Sequence, residues 1–253
     1  MKKQTFLTLL SALLLTTLLA ACGSPPPPAP RNTDTLPAAD TSAPSSTTTS
    51  GTNATGTVNI KAEVWTDNWF AFYLGETLIK EDSVPITTER SFNKETFTFQ
   101  ASYPLQLNFI VKDYMANNTG LEYIGTERQQ MGDGGFIAQF TNADTGELIA
   151  ATNADWSELV IQQAPLDTTC AKQPNPVAGT APCTFTLLDE PGGWKTLSFD
   201  ASAWAKATIY TEGQVGPKDG YYEVQWNPSA KLIWGPDLKM DNTILYRRTV
   251  TQP

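Results

Sequence analysis

The chain has 253 residues and carries 17 Lys and Arg against 26 Asp and Glu, a formal net charge of −9. An acidic protein repels phosphate backbones, so this charge argues against nucleic acid as a partner. Histidine is absent, which excludes Ser-His-Asp and Cys-His catalysis and the His-ligated zinc sites. Catalysis by carboxylates alone, as in glycosidases, stays open.

The first residues of the chain predict a secretory signal over 1–21. Lys2 and Lys3 precede an apolar stretch at 6–19, which is short for a membrane-spanning helix, and small residues then lead to Cys22. The ending Leu-Ala-Ala-Cys resembles the lipobox of bacterial lipoproteins. This resemblance implies cleavage before Cys22, a lipid on its sulfur and export. The alternatives are an ordinary signal peptide with a chance cysteine, or a transmembrane helix.

The lipobox resemblance also implies where the protein resides. We expect a lipid anchor in the cell membrane or the outer membrane, with the rest of the chain facing the periplasm or the cell surface. Residues 22–57 predict a disordered linker, because four consecutive prolines at 25–28 precede a tract rich in Ser and Thr. With almost no large apolar side chains, this segment cannot offset the entropy cost of ordering.

Residues 58–253 predict one all-β domain. Apolar and polar side chains alternate with a period of two, the pattern of half-buried strands, in segments 69–74, 95–100, 105–111 and 243–250. Turns rich in Gly and Pro separate these segments, and one helical turn is predicted over 200–206. Many short strands joined by such turns favour a single β-sandwich of the jelly-roll type.

Cys170 and Cys183 flank a loop-like sequence rich in Pro and Ala. An even pair of cysteines in an exported protein predicts a disulfide. The alternatives are two free thiols or a metal site, although two sulfurs without histidine do not complete the shell of zinc.

Three segments carry motifs in the same order as one family. They read AEVWTDNWFAFYLG at 62–75, FDASAWAKA at 199–207, and KLIWGPDL followed by NTILYRRT at 231–249. They resemble the galactose-binding-like jelly-roll domains that accompany many glycosidases. The resemblance implies a single sandwich, a sugar-binding role, no intrinsic catalysis, and core positions for Trp204 and Trp234. The motifs do not account for 103–155, which could be insertions that carry specificity.

Acidic, aromatic and basic side chains crowd the stretch 112–135. Carboxylates and amides accept hydroxyl protons, arginine donates, and flat aromatic rings can stack on sugars. Two tryptophans that follow Asn and Asp clusters are expected at the surface and join the candidates. The predicted ligand-binding residues are Asp67, Asn68, Trp69, Asp113, Tyr123, Glu127, Arg128, Asp133 and Trp156. The alternative is a solvated polar loop with a tight glycine turn.

Calcium is a second chemical option, because oxygen-rich loops can hold it. Asp67, Asp113 and Asp133 are its candidate ligands, and no other cofactor is expected. The sequence thus predicts a lipid-anchored protein that binds carbohydrate without catalysis. The alternatives are a structural or protein-interaction module that binds another envelope protein, and a glycosidase using Glu122 and Glu127.

Overall fold

The computed structural model describes residues 56–252. The predicted signal peptide, Cys22 and nearly all of the predicted linker lie outside the described residues. In the part that is described, no helix combines the length and the apolar character needed to cross a bilayer.

The described residues form fifteen strands. In chain order they are β1 Val58–Asp67, β2 Trp69–Leu74, β3 Thr77–Glu81, β4 Phe92–Ala101, β5 Leu105–Lys112, β6 Leu121–Glu122, β7 Gln130–Met131, β8 Gly135–Asn142, β9 Leu148–Ala151, β10 Ser157–Gln163, β11 Thr186–Leu187, β12 Ala205–Lys206, β13 Thr208–Tyr210, β14 Leu232–Trp234 and β15 Asp241–Val250. Helical structure within the same residues is limited to one α-helical turn, α1 Glu212–Val215, and to 3-10 turns at Thr168–Lys172 and Tyr221–Glu223.

Two antiparallel sheets pack face to face, which confirms the predicted all-β sandwich. Sheet 1 has the order β13-β14-β8-β1-β4, with β9 on β8, and sheet 2 has the order β11-β10-β15-β5-β2-β3, with β12 on β10. Strands β6 and β7 form a separate short ribbon. The stretch 103–155 supplies β5 and β8, which lie inside the two sheets, so it is not a set of insertions.

The core forms where the alternating strands turn one face toward the other sheet. Leu105, Leu107, Phe109 and Val111 of β5 are fully buried there, as the period-two pattern predicts. Phe72 of β2 meets Phe109 with ring centroids 4.8 Å apart. Each such buried side chain contributes about 1.5–3 kcal/mol to folding.

The outer face of each sheet is covered by an irregular segment. On sheet 1, Trp65 of β1 packs with Val215 and Tyr221. On sheet 2, Ile110 and Leu245 pack with Trp194. Apolar side chains on the outer faces of both sheets are therefore buried as well, in addition to those in the core between the sheets.

The predicted helical turn over 200–206 is wrong. Lys206 pairs with Ser157, which makes residues 205–206 strand β12 at the edge of β10. Trp204 is half-buried on the outer face of sheet 2, against Trp194 and Phe199, and not between the sheets. Trp234 does lie in the core, and its Nε1 donates to the carbonyl oxygen of Asp241 at 2.8 Å.

The prediction that Trp156 lies at the surface is also wrong. Its side chain is fully buried, its ring centroid lies 5.8 Å from that of Phe109, and its Nε1 donates to the carbonyl oxygen of Ala151 at 2.9 Å. The polar residues before it form a turn in which the Asn153 side chain accepts from the Asp155 amide at 2.9 Å. That turn sends the next side chain inward, so the polar cluster marks a bend and not a binding surface.

Cys170 and Cys183 form the predicted disulfide, with their Cα atoms 4.8 Å apart. Both are buried against Leu121, and Met131 packs beside them. The Gln129 side chain donates to the carbonyl oxygens of Ala171 and Gln173 at 3.0 and 2.8 Å. The disulfide loop therefore braces the β6–β7 ribbon.

Candidate functional site

One end of the sandwich gathers several of the predicted site residues. Asp67 ends β1, Asn68 leads into β2, and Asp113 follows β5. The Asn68 Oδ1 accepts from the Tyr114 amide at 2.6 Å, and its Nδ2 donates to the carbonyl oxygen of Ser91 at 3.0 Å. Because both polar groups of its side chain are hydrogen-bonded within the protein, Asn68 holds the chain in place where it leaves β5 and is not free to bind a ligand.

Four carboxyl groups, Asp67, Asp113, Glu122 and Asp133, form what we call the acidic end. Burial raises the pKa of Asp113 well above its usual value, and the charges of Asp67, Glu122 and Asp133 raise it further. Its Oδ1 has no hydrogen-bond partner, while Oδ2 lies 3.5 Å from the Nδ2 of Asn242. The carboxyl sits under Gly132, where a Cβ would overlap its oxygens.

The other two buried acids of this end are shifted in the same direction. Burial raises the pKa of Asp67, with a further increase from the charge of Asp133. Burial also raises the pKa of Glu122. The Gln130 side chain donates a hydrogen bond to Glu122 at 2.9 Å, which acts in the opposite direction but is outweighed by burial. These carboxyl groups therefore hold their protons more tightly than exposed ones do.

The acidic end is not arranged as a metal site. Among residues 56–252, no three His, Cys, Asp or Glu side chains are placed to hold a metal ion. Asp113 is buried under Gly132, whereas Asp133 is exposed. Asp67, Asp113 and Asp133 therefore do not form a cluster of three carboxylates, and calcium binding stays a prediction of the sequence.

A pocket of about 290 Å³ opens beside the acidic end, where β5 stops. We call it the β5-exit pocket. Its lining combines apolar side chains with hydroxyl, amide, ammonium and carboxyl groups, namely Ile86, Thr87, Lys112, Asp113, Tyr114, Met115, Ala116 and Gln162. Burial raises the pKa of Tyr114, and the charges of Glu89 and Glu122 add to that increase. Its hydroxyl therefore stays protonated and can donate a hydrogen bond.

Trp69 lies next to this pocket on the outer face of sheet 2. Alternation points Phe70 into the core and Trp69 outward, where it is half-buried beside Ile110. The Nζ of Lys112, a pocket residue, lies 5.2 Å from the Trp69 ring centroid. Two segments singled out in the sequence, 67–69 and 112–114, thus meet at one place.

The remaining candidates form a separate surface loop. The Arg128 guanidinium lies 4.1 Å from the Tyr123 ring centroid, and the Tyr123 amide donates to Glu89 at 3.0 Å. Tyr123 has a positive φ of 51°, a conformation that is costly without glycine. Arg128 and Glu127 are exposed. This arrangement matches the alternative of a solvated polar loop more closely than a shared ligand site.

The carboxylate pair that a glycosidase would need is not formed by Glu122 and Glu127. Glu122 is buried and hydrogen-bonded to Gln130. Its pKa is raised mainly by burial and further by the charges of Asp133 and Glu89. Glu127 points into solvent on the loop.

Sequence reasoning missed five pocket residues, namely Ile86, Thr87, Met115, Ala116 and Gln162. Ile86 and Thr87 lie in the irregular segment between β3 and β4, which carries no periodic signal. Gln162 is a buried polar residue in β10, and its Oε1 accepts from the Thr243 hydroxyl at 2.9 Å. Gln162 follows the apolar run 159–161 and precedes Gln163, so no pattern in the sequence marks it as a pocket residue.

No protein-family model, no curated protein and no solved structure matches this chain. The resemblance to galactose-binding-like domains therefore rests on the three motifs and on the sandwich fold.

Proposed function

We propose that this chain is a lipid-anchored extracytoplasmic protein whose β-sandwich binds neutral carbohydrate without catalysis. The observation that carries the proposal is the β5-exit pocket with Trp69 beside it. Thr87, Lys112 and Tyr114 offer groups that can hydrogen-bond sugar hydroxyls, while Ile86 and Met115 offer apolar surface. This mixture suits a sugar ring, which has polar edges and an apolar face.

The charge near the pocket supports a neutral ligand. Asp113 lines it, and Asp67 and Glu122 lie close enough to raise the pKa of Asp113. Because burial makes these carboxyl groups hold their protons, they suit hydrogen bonds to a neutral sugar, and any of them that ionises would repel an anionic one. Hydrolysis of a glycosidic bond generally requires two carboxyl groups flanking it. Asp113 is the one acidic residue in the lining of this pocket, and its carboxyl is buried under Gly132. Binding without cleavage is therefore the simpler function.

Export and anchoring are supported by the N-terminal sequence and by the disulfide. Disulfides persist in oxidising compartments outside the cytoplasm, and Cys170 is bonded to Cys183. We propose that Cys22 carries the lipid and that residues 22–57 form the tether. The anchor lies in the cell membrane or the outer membrane, and the sandwich faces the periplasm or the cell surface.

A protein-interaction module is the second candidate function. Leu187 and Leu188, at and beside the edge strand β11, are 57% and 56% exposed. Exposed apolar side chains at a sheet edge suit contact with another envelope protein. Crosslinking in cells would then capture one stoichiometric protein independently of added sugar.

Carbohydrate binding is tested on a glycan array with the mature protein. We expect binding to neutral glycans, weakened about three- to tenfold by Trp69→Ala through loss of ring stacking. Tyr222→Ala is the matched control, because Tyr222 is 71% exposed on the segment covering sheet 1. Absence of binding to every neutral glycan, or equal losses in the two variants, would contradict the proposal.

A further inference from the structure

A second pocket, of about 430 Å³, lies along the C-terminal half of β15 and takes no part in the proposed function. We call it the basic pocket. Lys206, Arg247 and Arg248 line it together with a single acid, Asp155. An excess of positive charge in one pocket stands out in a chain whose formal net charge is −9.

Arg247 supplies a charge without a carboxylate partner. Its side chain is 5% exposed, and its Nη1 and Nη2 donate to the carbonyl oxygens of Phe199 and Thr196 at 2.6 and 2.9 Å. Its Nε has no partner, and no ion pair within the described residues includes it. Carbonyl dipoles hold the guanidinium in place, and the exposed Asp200 acts on it through space without forming an ion pair. No bonded carboxylate therefore compensates the charge, which is costly in a buried position.

The one acid in the basic pocket is already engaged. Asp155 Oδ2 pairs with the Arg248 Nη1 at 2.9 Å, and Asn153 Oδ1 accepts from the same nitrogen at 3.2 Å. Lys206 donates from Nζ to the backbone carbonyl of Asp155 at 3.3 Å and is otherwise exposed. Two of the three cations therefore have no carboxylate of their own.

An apolar wall borders these charges. Leu197 is 54% exposed, and the Arg247 guanidinium lies 5.3 Å from the ring centroid of Phe199. Arginine recognises carboxylates and other oxyanions by paired hydrogen bonds, and a neighbouring apolar surface favours a ring that carries the anion. An inorganic ion would use the charges and leave this wall empty.

We propose that the basic pocket binds an organic anion, with its oxyanion group on Arg247, Arg248 and Lys206 and its ring against Leu197 and Phe199. Acidic sugars that bear a carboxylate are the ligand class that fits this combination. This site is separate from the β5-exit pocket, whose acidic surroundings favour a neutral ligand.

The test is a titration of the ¹⁵N-labelled mature protein followed by NMR at constant ionic strength. The probes are D-glucuronate, the neutral D-glucose and inorganic sulfate. We expect glucuronate to shift the Nε signals of Arg247 and Arg248 saturably, at lower concentration than sulfate, and glucose to leave them unchanged. Equal shifts with glucose, sulfate binding as tight as glucuronate, or shifts that never saturate would overturn the proposal.

Lys206→Gln gives the matched variant, because Lys206 is exposed and its loss leaves the fold intact. We expect about two- to fivefold weaker glucuronate binding, the effect of removing one exposed charge. Lys231→Gln is the control, since the Lys231 Nζ likewise donates to a backbone carbonyl, that of Pro228 at 2.7 Å, away from the pocket. Unchanged affinity in Lys206→Gln overturns the assignment. The indole Nε1 signal of Trp69 reports on the β5-exit pocket, so failure of one site is distinguishable from failure of the other.

Discussion

Glu158 shows how burial changes the chemistry of a single carboxyl group. It is 2% exposed, and its oxygens accept from the Thr208 amide and hydroxyl at 3.3 and 3.4 Å. Burial raises its pKa from 4.5 to about 7, although the hydrogen bonds from Thr208 act in the opposite direction. The Tyr246 hydroxyl lies near this carboxyl without making a hydrogen bond of good geometry.

The raised pKa of Glu158 predicts how stability depends on pH. The native state binds this proton more tightly than the unfolded chain, so the free energy of unfolding falls as pH rises from 4.5 to about 7. Glu158→Gln removes this titrating group. We therefore expect the free energy of unfolding of the variant to fall by about 3 kcal/mol less than that of the wild type over this pH range. Urea unfolding on both sides of that range measures the effect. Glu76→Gln, at an exposed position, is the control, and identical declines in all three proteins would contradict the pKa assignment.

Residue types in the sequence indicated the polar end of the sandwich but not the role of each side chain. Asp67, Asn68, Trp69 and Asp113 do lie close together, because β1, β2 and β5 end or begin at one edge. Whether a polar group is free for a ligand depends on its hydrogen bonds, and those of Asn68 come from segments 23 and 46 residues away. No local pattern carries that information.

At the level of elements, alternation in the sequence located four strands, β2, β4, β5 and β15. One alternating set of apolar residues in β2, β5 and β15 faces the core, while Trp69, Ile110 and Leu245 of the other set pack on the outer face. The segments that cover the outer faces, such as 188–206, have no period to detect, since their side chains bury by tertiary contact alone. For this reason the short strand β12 was mistaken for a helical turn.

The disulfide is the clearest element-scale constraint on the loops beside the acidic end. Replacing both Cys170 and Cys183 with serine should lower the free energy of unfolding by about 2–3 kcal/mol, as expected for a short closed loop. Because the pair packs against Leu121, we also expect faster amide hydrogen exchange in β6 and β7. Denaturant unfolding and exchange measured by mass spectrometry check both effects. Reducing the wild-type protein should reproduce them, and no change in either measurement would contradict the bracing role.

At the scale of the whole molecule, the proposed anchor predicts a defined N-terminus. Protein isolated from membranes should begin at Cys22 and carry acyl chains there, because the lipobox-like ending places cleavage before that residue. Intact-mass and N-terminal peptide mass spectrometry measure this directly. The Cys22→Ala protein should lack the acyl mass, and a mature wild-type chain that begins elsewhere, or with unmodified Cys22, would refute the anchor.

The distribution of charge also belongs to the whole molecule. Carboxyl groups with raised pKa gather at the end where β5 stops, while Arg247, Arg248 and Lys206 gather along the distal part of β15. Acidic residues with raised pKa therefore gather around the β5-exit pocket, which Lys112 also lines, whereas basic residues dominate the other pocket. This difference is the physical basis for assigning a neutral ligand to one and an anion to the other.

Calorimetric titration of the mature protein with a neutral glycan selected on the array measures whether the β5-exit pocket binds the sugar. We expect saturable binding that Tyr114→Ala, a change at the β5-exit pocket, weakens about three- to tenfold, while Tyr222→Ala leaves the affinity unchanged. Affinity that is the same in wild type and Tyr114→Ala would contradict the claim that the β5-exit pocket is where the sugar binds.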